Sequence, residues 1–225
     1  MSTQRTSAIV LRRTNYGEAD RILQLLTPLG KFSVIAKGVR REKSRLAGGI
    51  ELFAISDIVI TSGKGDLGIL TSARLDDFYH HILEDYDRMQ FAYEVLKQVN
   101  RASEMVNEPE WFDVLLEVLA GLDAITLDLR IVQTWFYLRY AALLGHELSV
   151  WRDVSGDELL ANETYRYDEG EKGFLQSKNG DITEGHIKYL RLVSQKPLKI
   201  IAQIGGVELI LPSCLAITRQ HAAIY

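Results

Sequence analysis

One cysteine, four prolines and no long apolar run say more at first than anything the chain has in plenty. Cys214 stands alone among 225 residues, so neither an intrachain disulfide framework nor a four-cysteine zinc site can form, and a reducing, cytoplasmic setting is expected. No apolar stretch approaches the ~18 residues of a membrane span, and Met1 to Thr6 is too polar for a secretory leader. The expectation is an intracellular chain without membrane contact, held by a packed core. Its composition, 47% hydrophobic and 25% charged, excludes collagen, coiled coil and disordered tail.

Enzyme signatures are scarce too. Gly63-Lys64-Gly65-Asp66-Leu67-Gly68 matches GxGxxG, with Glu84 and Asp85 near the distance of a ribose contact, so an NAD(P)-binding oxidoreductase is the alternative to weigh. A dinucleotide site needs those glycines to open a helix; here Ile69 to Leu75 continue a β pattern, and a hairpin turn is expected. His80 and His81 are adjacent rather than four apart, and read as a surface pair. His146, His186 and His221 are scattered, and Cys214, beside Leu215, reads as a small buried hydrophobe. No catalytic residue, metal site or cofactor is expected.

What is present is an uneven charge. The net charge is −4, yet residues 1–75 carry twelve Lys and Arg against six Asp and Glu, leaving the remainder strongly acidic. Five cations, Lys37, Arg40, Arg41, Lys43 and Arg45, fall within nine residues, relieved only by Glu42 and spaced by Gly38 and Ser44. Such a stretch reads as a flexible basic loop. Polyanion binding follows local potential rather than net charge, so a basic front on an acidic body fits a nucleic-acid binder.

Periodicity divides the chain. TSAIVLRR (6–13) alternates as a strand, with Ala8 and Val10, or Ile9 and Leu11, facing a core. Arg21 to Thr27 follows, then the turn Thr27-Pro28-Leu29-Gly30, then Lys31 to Lys37; residues 50–61 and 67–75 make two more β runs. Five strands in about 75 residues predict a small antiparallel barrel. From residue 82 the spacing is helical. Tyr86, Met89, Tyr93, Leu96 and Val99 mark one helix; a second starts near Pro109, and a third, through Ile131, Trp135 and Leu138, should stop at Gly145. Residues 150–181 read as an irregular module, helical spacing resumes near Ile187, and residues beyond 200 fit either a strand or a broken helix. On the barrel, Tyr16, Phe32 or Phe53 could stack on bases, with Tyr16 the better candidate because alternation buries Phe32. On the third helix Arg130 and Arg139 read first as surface charge, and second as a basic rim for an acidic, aromatic-ended peptide.

Leu11 to Thr27, LRRTNYGEADRILQLLT, and Ala36 to Gly49, AKGVRREKSRLAGG, resemble the N-terminal blocks of the RecO family of bacterial recombination mediators. The resemblance extends through Phe53 and GKGDLGILTSA to Leu143-Leu144-Gly145, Tyr165-Arg166-Tyr167-Asp168 and Glu171-Lys172-Gly173-Phe174. It implies an α+β protein: an OB-fold barrel over residues 1–79, a helical domain over 80–225, and no catalytic site. It implies binding of single- and double-stranded DNA, annealing of complementary strands and, with RecR, help in loading RecA onto DNA coated by single-strand-binding protein, whose C-terminal tail docks on the helical domain. Cytoplasmic, nucleoid-associated localisation goes with that role. By position, Lys37, Arg40, Arg41, Lys43 and Arg45 become phosphate contacts, supported by Arg12, Arg13 and Arg21. The chain departs from the family at 150–181, where many members hold zinc with four cysteines and this sequence has none; it resembles a metal-free remnant, with Tyr165, Tyr167 and Phe174 expected to pack in place of the ion. The competing non-enzymatic reading is a protein-only adaptor.

Overall fold

The first five elements are strands, with alternating burial plainest in the fourth. In the computed structural model, which describes residues 3–63, 65 and 67–223, these are β1 (Thr3–Tyr16), β2 (Asp20–Thr27), β3 (Gly30–Ala36), β4 (Ala54–Thr61) and β5 (Leu67–Phe78). They close into a barrel in the order β1-β2-β3-β5-β4. Val10, Leu23, Val34, Ile58, Ile60 and Leu70 fill its interior. The β2–β3 turn works as its residues predict, with the Thr27 hydroxyl donating to Gly30 O at 2.9 Å and accepting from Leu29 N–H at 3.1 Å.

One pairing departs from the expected antiparallel barrel: β3 and β5 run parallel through Ser33↔Leu67, Val34↔Gly68 and Ile35↔Ile69. A parallel pair needs a long crossover, and the segment after β3, together with β4, provides it. Gly68 therefore lies in a strand and opens no helix, which removes the dinucleotide site from the GxGxxG match; Lys64 and Asp66 of that motif lie outside the described residues. Of the two acids expected near a ribose, Glu84 ends a 3-10 turn and Asp85 caps α1 (Tyr86–Met105) by accepting from Arg88 N–H at 3.0 Å.

Both candidate faces of β1 are buried, Ala8 and Val10 as well as Ile9 and Leu11. The inner pair faces the barrel, and α1 packs on the strand from outside. Lys31 on β3 reaches α1, donating to Asn100 O at 2.8 Å and pairing with Glu104 at 2.6 Å. These contacts join α1 to the barrel although the strands end at Phe78. The first compact unit is Met1–Asp123 and includes α1 and α2 (Glu110–Asp123); the second is Ala124–Tyr225.

The stripe on α1 is also rotated from the sequence expectation. Tyr86 and Tyr93 are exposed, whereas Phe91, Ala92, Val95, Leu96 and Val99 are buried together with Arg88, which is only 5% exposed. Its guanidinium donates to Leu122 O at 3.0 Å and Gly121 O at 3.4 Å, the last carbonyls of α2. A cation there satisfies orphan acceptors and meets the negative end of the helix dipole.

In the second unit α3 (Leu129–Leu143) is buried nearly all round and stops before Gly145 as predicted. It packs against α4 (Glu184–Gln195), α5 (Leu198–Ile201) and α6 (Leu211–Ala222), so the ambiguous C-terminal stretch is a broken helix. Pro212 sits in the first turn of α6, where its missing N–H costs nothing. Cys214 is fully buried, and desolvation pushes its thiol up to about 12. Between α3 and α4, β6 (Tyr165–Asp168) and β7 (Gly173–Gln176) form a hairpin. Tyr165 and Phe174 are buried; the Tyr167 hydroxyl donates to His221 Nδ1 at 2.9 Å while His221 Nε2 donates to His146 O at 2.7 Å. Arg191 donates to Val150 O at 2.8 Å and lies 4.2 Å from the Trp151 ring centre.

Two histidines in this unit are held neutral. His186 Nδ1 accepts from Thr183 N–H at 3.2 Å at the start of α4, and burial lowers the pKa of both His186 and His221 below the usual 6.5. The unfolded chain therefore binds more protons below pH 6.5, and stability falls as pH drops, by up to about 1.4 kcal/mol per pH unit for each histidine until the lowered folded pKa is passed. Urea midpoints followed by tryptophan fluorescence at pH 7.5 and 5.5 are expected to show that loss. The His186→Asn variant, whose amide oxygen keeps the cap acceptor, should lose less.

Candidate nucleic-acid interface

The basic segment leaves β3 at Ala36, which pairs with Arg21 of β2. Gly38 has φ +64°, a conformation that favours glycine, and its N–H donates to Asp20 Oδ1 at 2.6 Å. Arg40 N–H donates to Ala19 O at 2.9 Å, and its guanidinium to Gly17 O at 3.3 Å. Two further turns follow, Arg41 N–H to Gly38 O at 3.1 Å and Ser44 N–H to Arg41 O at 3.0 Å. Val39 is buried in the barrel core, and Leu46 packs against it. At the far end Gly49 lies so close to β5 that a Cβ would stand 2.5 Å from the Ala73 carbonyl group.

The loop expected to be flexible is therefore a series of hydrogen-bonded turns pinned by apolar residues at its ends. Lys37, Arg40, Arg41, Lys43 and Arg45 are all exposed on it. Nearby acids are Glu42 within the segment and Glu18 and Asp20 at the β1–β2 turn, Asp20 being engaged with the loop backbone. Tyr16, 55% exposed at the end of β1, belongs to the same barrel end, because Gly17 and Ala19 receive the Arg40 bonds.

The other candidates separate. Arg21 donates to Asn15 Oδ1 at 3.2 Å beside the turn. Arg13 is tied to Glu51 at 2.9 Å and to Ile50 O at 3.4 Å, and Arg12, which is exposed, lines a cavity shared with α1. Phe32 is half-buried against the barrel core. Phe53 offers no face to a base: it is 1% exposed, and its ring meets Tyr93 edge to face at 5.0 Å.

In the second unit Arg130 and Arg139 are partly buried and engaged. Arg130 pairs with Asp128, the residue that caps α3 by accepting Arg130 N–H at 2.9 Å. That carboxylate raises the Arg130 pKa. Arg139 donates to Lys196 O at 3.1 Å and lies 5.4 Å from the Trp135 ring centre, while Trp135 Nε1 donates to the same carbonyl at 2.9 Å. Nine residues of helix set the two arginines about 13 Å apart along the axis.

His80 and His81 are not isolated. Their ligand atoms lie within 4.8 Å of one another and of Glu84, and His81 Nδ1 is 3.1 Å from Asp123, whose hydrogen bond raises the His81 pKa. Glu84 is close in sequence but Asp123 is brought from the end of α2, which spacing alone could not show. Sequence reading also passed over Lys97 and Arg101 on α1. Their four-residue spacing puts them on one helix face with Tyr93, but only the tertiary structure sets that face opposite Arg12.

Residues 1–79 match the family model described as Recombination protein O N terminal. The chain is similar to the DNA repair protein RecO of Roseiflexus sp. (strain RS-1), 31% identical over 89% of this chain and 73% of that protein. The chain belongs to the RecO family. It is also similar to the RecO of Rubrobacter xylanophilus, 31% identical over 92% of this chain and 87% of that protein, and to the RecO of Dehalococcoides mccartyi (strain 195), 37% identical over 72% and 64%. The RecO N-terminal match covers all five strands and the whole basic segment, and ends where α1 has yet to begin. Among the described residues no helix is long and apolar enough to cross a membrane.

Proposed function

We propose that this RecO chain binds single- and double-stranded DNA at the barrel end that carries the basic segment, and that it anneals complementary strands. With RecR it helps RecA replace single-strand-binding protein in recombination and repair in the bacterial cytoplasm, at the nucleoid. The carrying observation is the row of five exposed cations held by backbone hydrogen bonds and two apolar anchors. A fixed row meets a phosphate backbone with less ordering cost than a free strap. The barrel is then an oligonucleotide-binding fold used for its surface, with Tyr16 as a stacking platform.

On this reading no covalent step occurs. Base pairing supplies the free energy of annealing, and the cations lower the repulsion between two backbones. Residues 150–181 replace a zinc module by the packing of Tyr165, Phe174 and the Tyr167–His221 pair. Arg130 and Arg139, both engaged within the second unit, meet the tail of single-strand-binding protein through what their hydrogen bonds leave unused.

The test is a titration of fluorescent single-stranded DNA at several salt concentrations, alongside strand annealing followed by fluorescence. About five phosphate contacts give a log–log salt slope of about −3.5, at about −0.7 per contact. A slope near zero, with no acceleration of annealing, would leave only the protein-only adaptor.

A further inference from the structure

A sizeable cavity lies away from the loop. It lies within the first unit between β1 and α1, holds about 590 Å³, and is lined by Leu11, Leu52 and Leu96 beneath a rim that includes Arg12, Lys97 and Arg101. That volume is ample for a small organic ligand. Lys97 and Arg101 are exposed, one turn apart on α1, and Arg12 faces them from β1. The nearby acids are occupied: Glu51 by Arg13 at 2.9 Å, Glu104 by Lys31 at 2.6 Å, and Glu94 accepts from Gln98 at 2.9 Å. Their remaining charge lowers but does not cancel the positive potential of the rim.

Two details say what would fit. Tyr93 lines the cavity with 49% of its surface exposed, while its other side rests edge to face on Phe53, which fixes the ring. Asn100 also lines it, and its Oδ1 is a buried acceptor with no hydrogen-bond partner in the described structure. An unpaired buried acceptor is costly, and because Asn100 Oδ1 is covered as the side chain stands, a turn of that side chain toward the cavity is what brings it to a ligand N–H. A flat, mostly apolar group with N–H at its edge, joined to a strong anion, matches floor, ring, acceptor and rim together.

We propose that this cavity takes a nucleobase of single-stranded DNA, stacked on Tyr93 with its flanking phosphates on Arg12, Lys97 and Arg101. This rests on the DNA reading and adds a second contact to it. Continuity favours DNA over an acidic peptide: Arg12 is four residues from Tyr16 along β1, about 14 Å at strand rise, so one strand leaving the basic loop can follow β1 into the cavity. The α1 cations then extend the phosphate path, and the base in the slot holds the strand unpaired at that point.

The experiment compares three variants of the full chain with the parent, using a fluorescent 20-nucleotide single strand across a salt series. Lys97→Ala with Arg101→Ala is expected to flatten the salt slope by about 1.4, two contacts at about 0.7 each. Tyr93→Ala is expected to weaken binding about tenfold at every salt concentration, while Tyr93→Phe stays near the parent, because the loss is a stacking face. The paired cation variant touches only exposed side chains, so it reads the site even if Tyr93→Ala unfolds. Parent-like binding in all three, with the loop-alanine variant impaired, overturns the cavity assignment and leaves the DNA reading standing. Unchanged binding in both sets, with the parent binding DNA, removes the basic segment as the DNA site as well. Unaltered DNA affinity, together with an acidic peptide whose binding is lost in the paired cation variant, also overturns the proposal and gives the cavity to a protein partner.

Discussion

A variant with Lys37, Arg40, Arg41, Lys43 and Arg45 all changed to alanine is expected to bind single-stranded DNA with a log–log salt slope about 3.5 shallower than the parent's, keeping only the share carried by Arg12, Lys97 and Arg101. Between about 50 and 200 mM those five contacts account for about a hundredfold of the parent's loss in affinity, which is what a slope of about −3.5 gives over a fourfold salt change. The reason is release of counterions from the DNA: each cation that neutralises a phosphate frees part of a condensed ion, and five alanines free none. All five side chains are exposed, whereas Val39 and Leu46, the anchors of the segment, are untouched. The variant should therefore fold as the parent does, apart from the bond from Arg40 to Gly17 O. Arg40→Lys with Arg41→Lys is the companion measurement: charge is kept, so the slope should stay within about half a unit of the parent. An alanine variant that keeps the full slope would move DNA binding away from this segment.

The second large effect falls on stability, at Arg88. Arg88 is 5% exposed, and its guanidinium donates to the Gly121 and Leu122 carbonyls and lies 4.0 Å from Asp85. Arg88→Ala leaves two buried acceptors without that donor and a cavity at the contact of α1 with α2. The expected cost is about 3 kcal/mol, the usual size when one member of a buried polar arrangement is removed. For a unit of this length that is on the order of a 10 °C fall in melting temperature. Arg88→Met keeps most of the aliphatic packing and should lose less, since it fails only the acceptors. Calorimetry of both variants separates the terms; equal melting temperatures for Ala and Met would mean that packing contributes little and the hydrogen bonds carry the effect. DNA binding at the loop should be unaffected at temperatures where either variant is folded.

Much of this was legible in the residues. Period-two alternation placed five strands, because a strand with one face buried cannot hide its pattern. Thr27-Pro28-Leu29-Gly30 and Gly145 marked a turn and a helix end through local backbone preference alone. The density of cations at 37–45 named the candidate site before any coordinate, since surface charge has no need of tertiary partners to be seen. Helix existence was equally plain, but the buried face of α1 was misjudged: Tyr86 and Tyr93 look apolar enough for a core, and Arg88 looks too polar for one. Only the arrival of the α2 carbonyls makes burying Arg88 favourable, and nothing near residue 88 announces them.

Long-range closure decided the rest. The parallel β3–β5 pairing, the grouping of α1 and α2 with the barrel, and the cavity that sets Arg12 against Lys97 and Arg101 all join residues about 30 to 90 positions apart. Local sequence carries propensity, turn chemistry and charge, which act over a few residues. Which outer face of a strand is covered, and by which helix, follows from the free energy of burying both at once, and that quantity exists only in the folded chain.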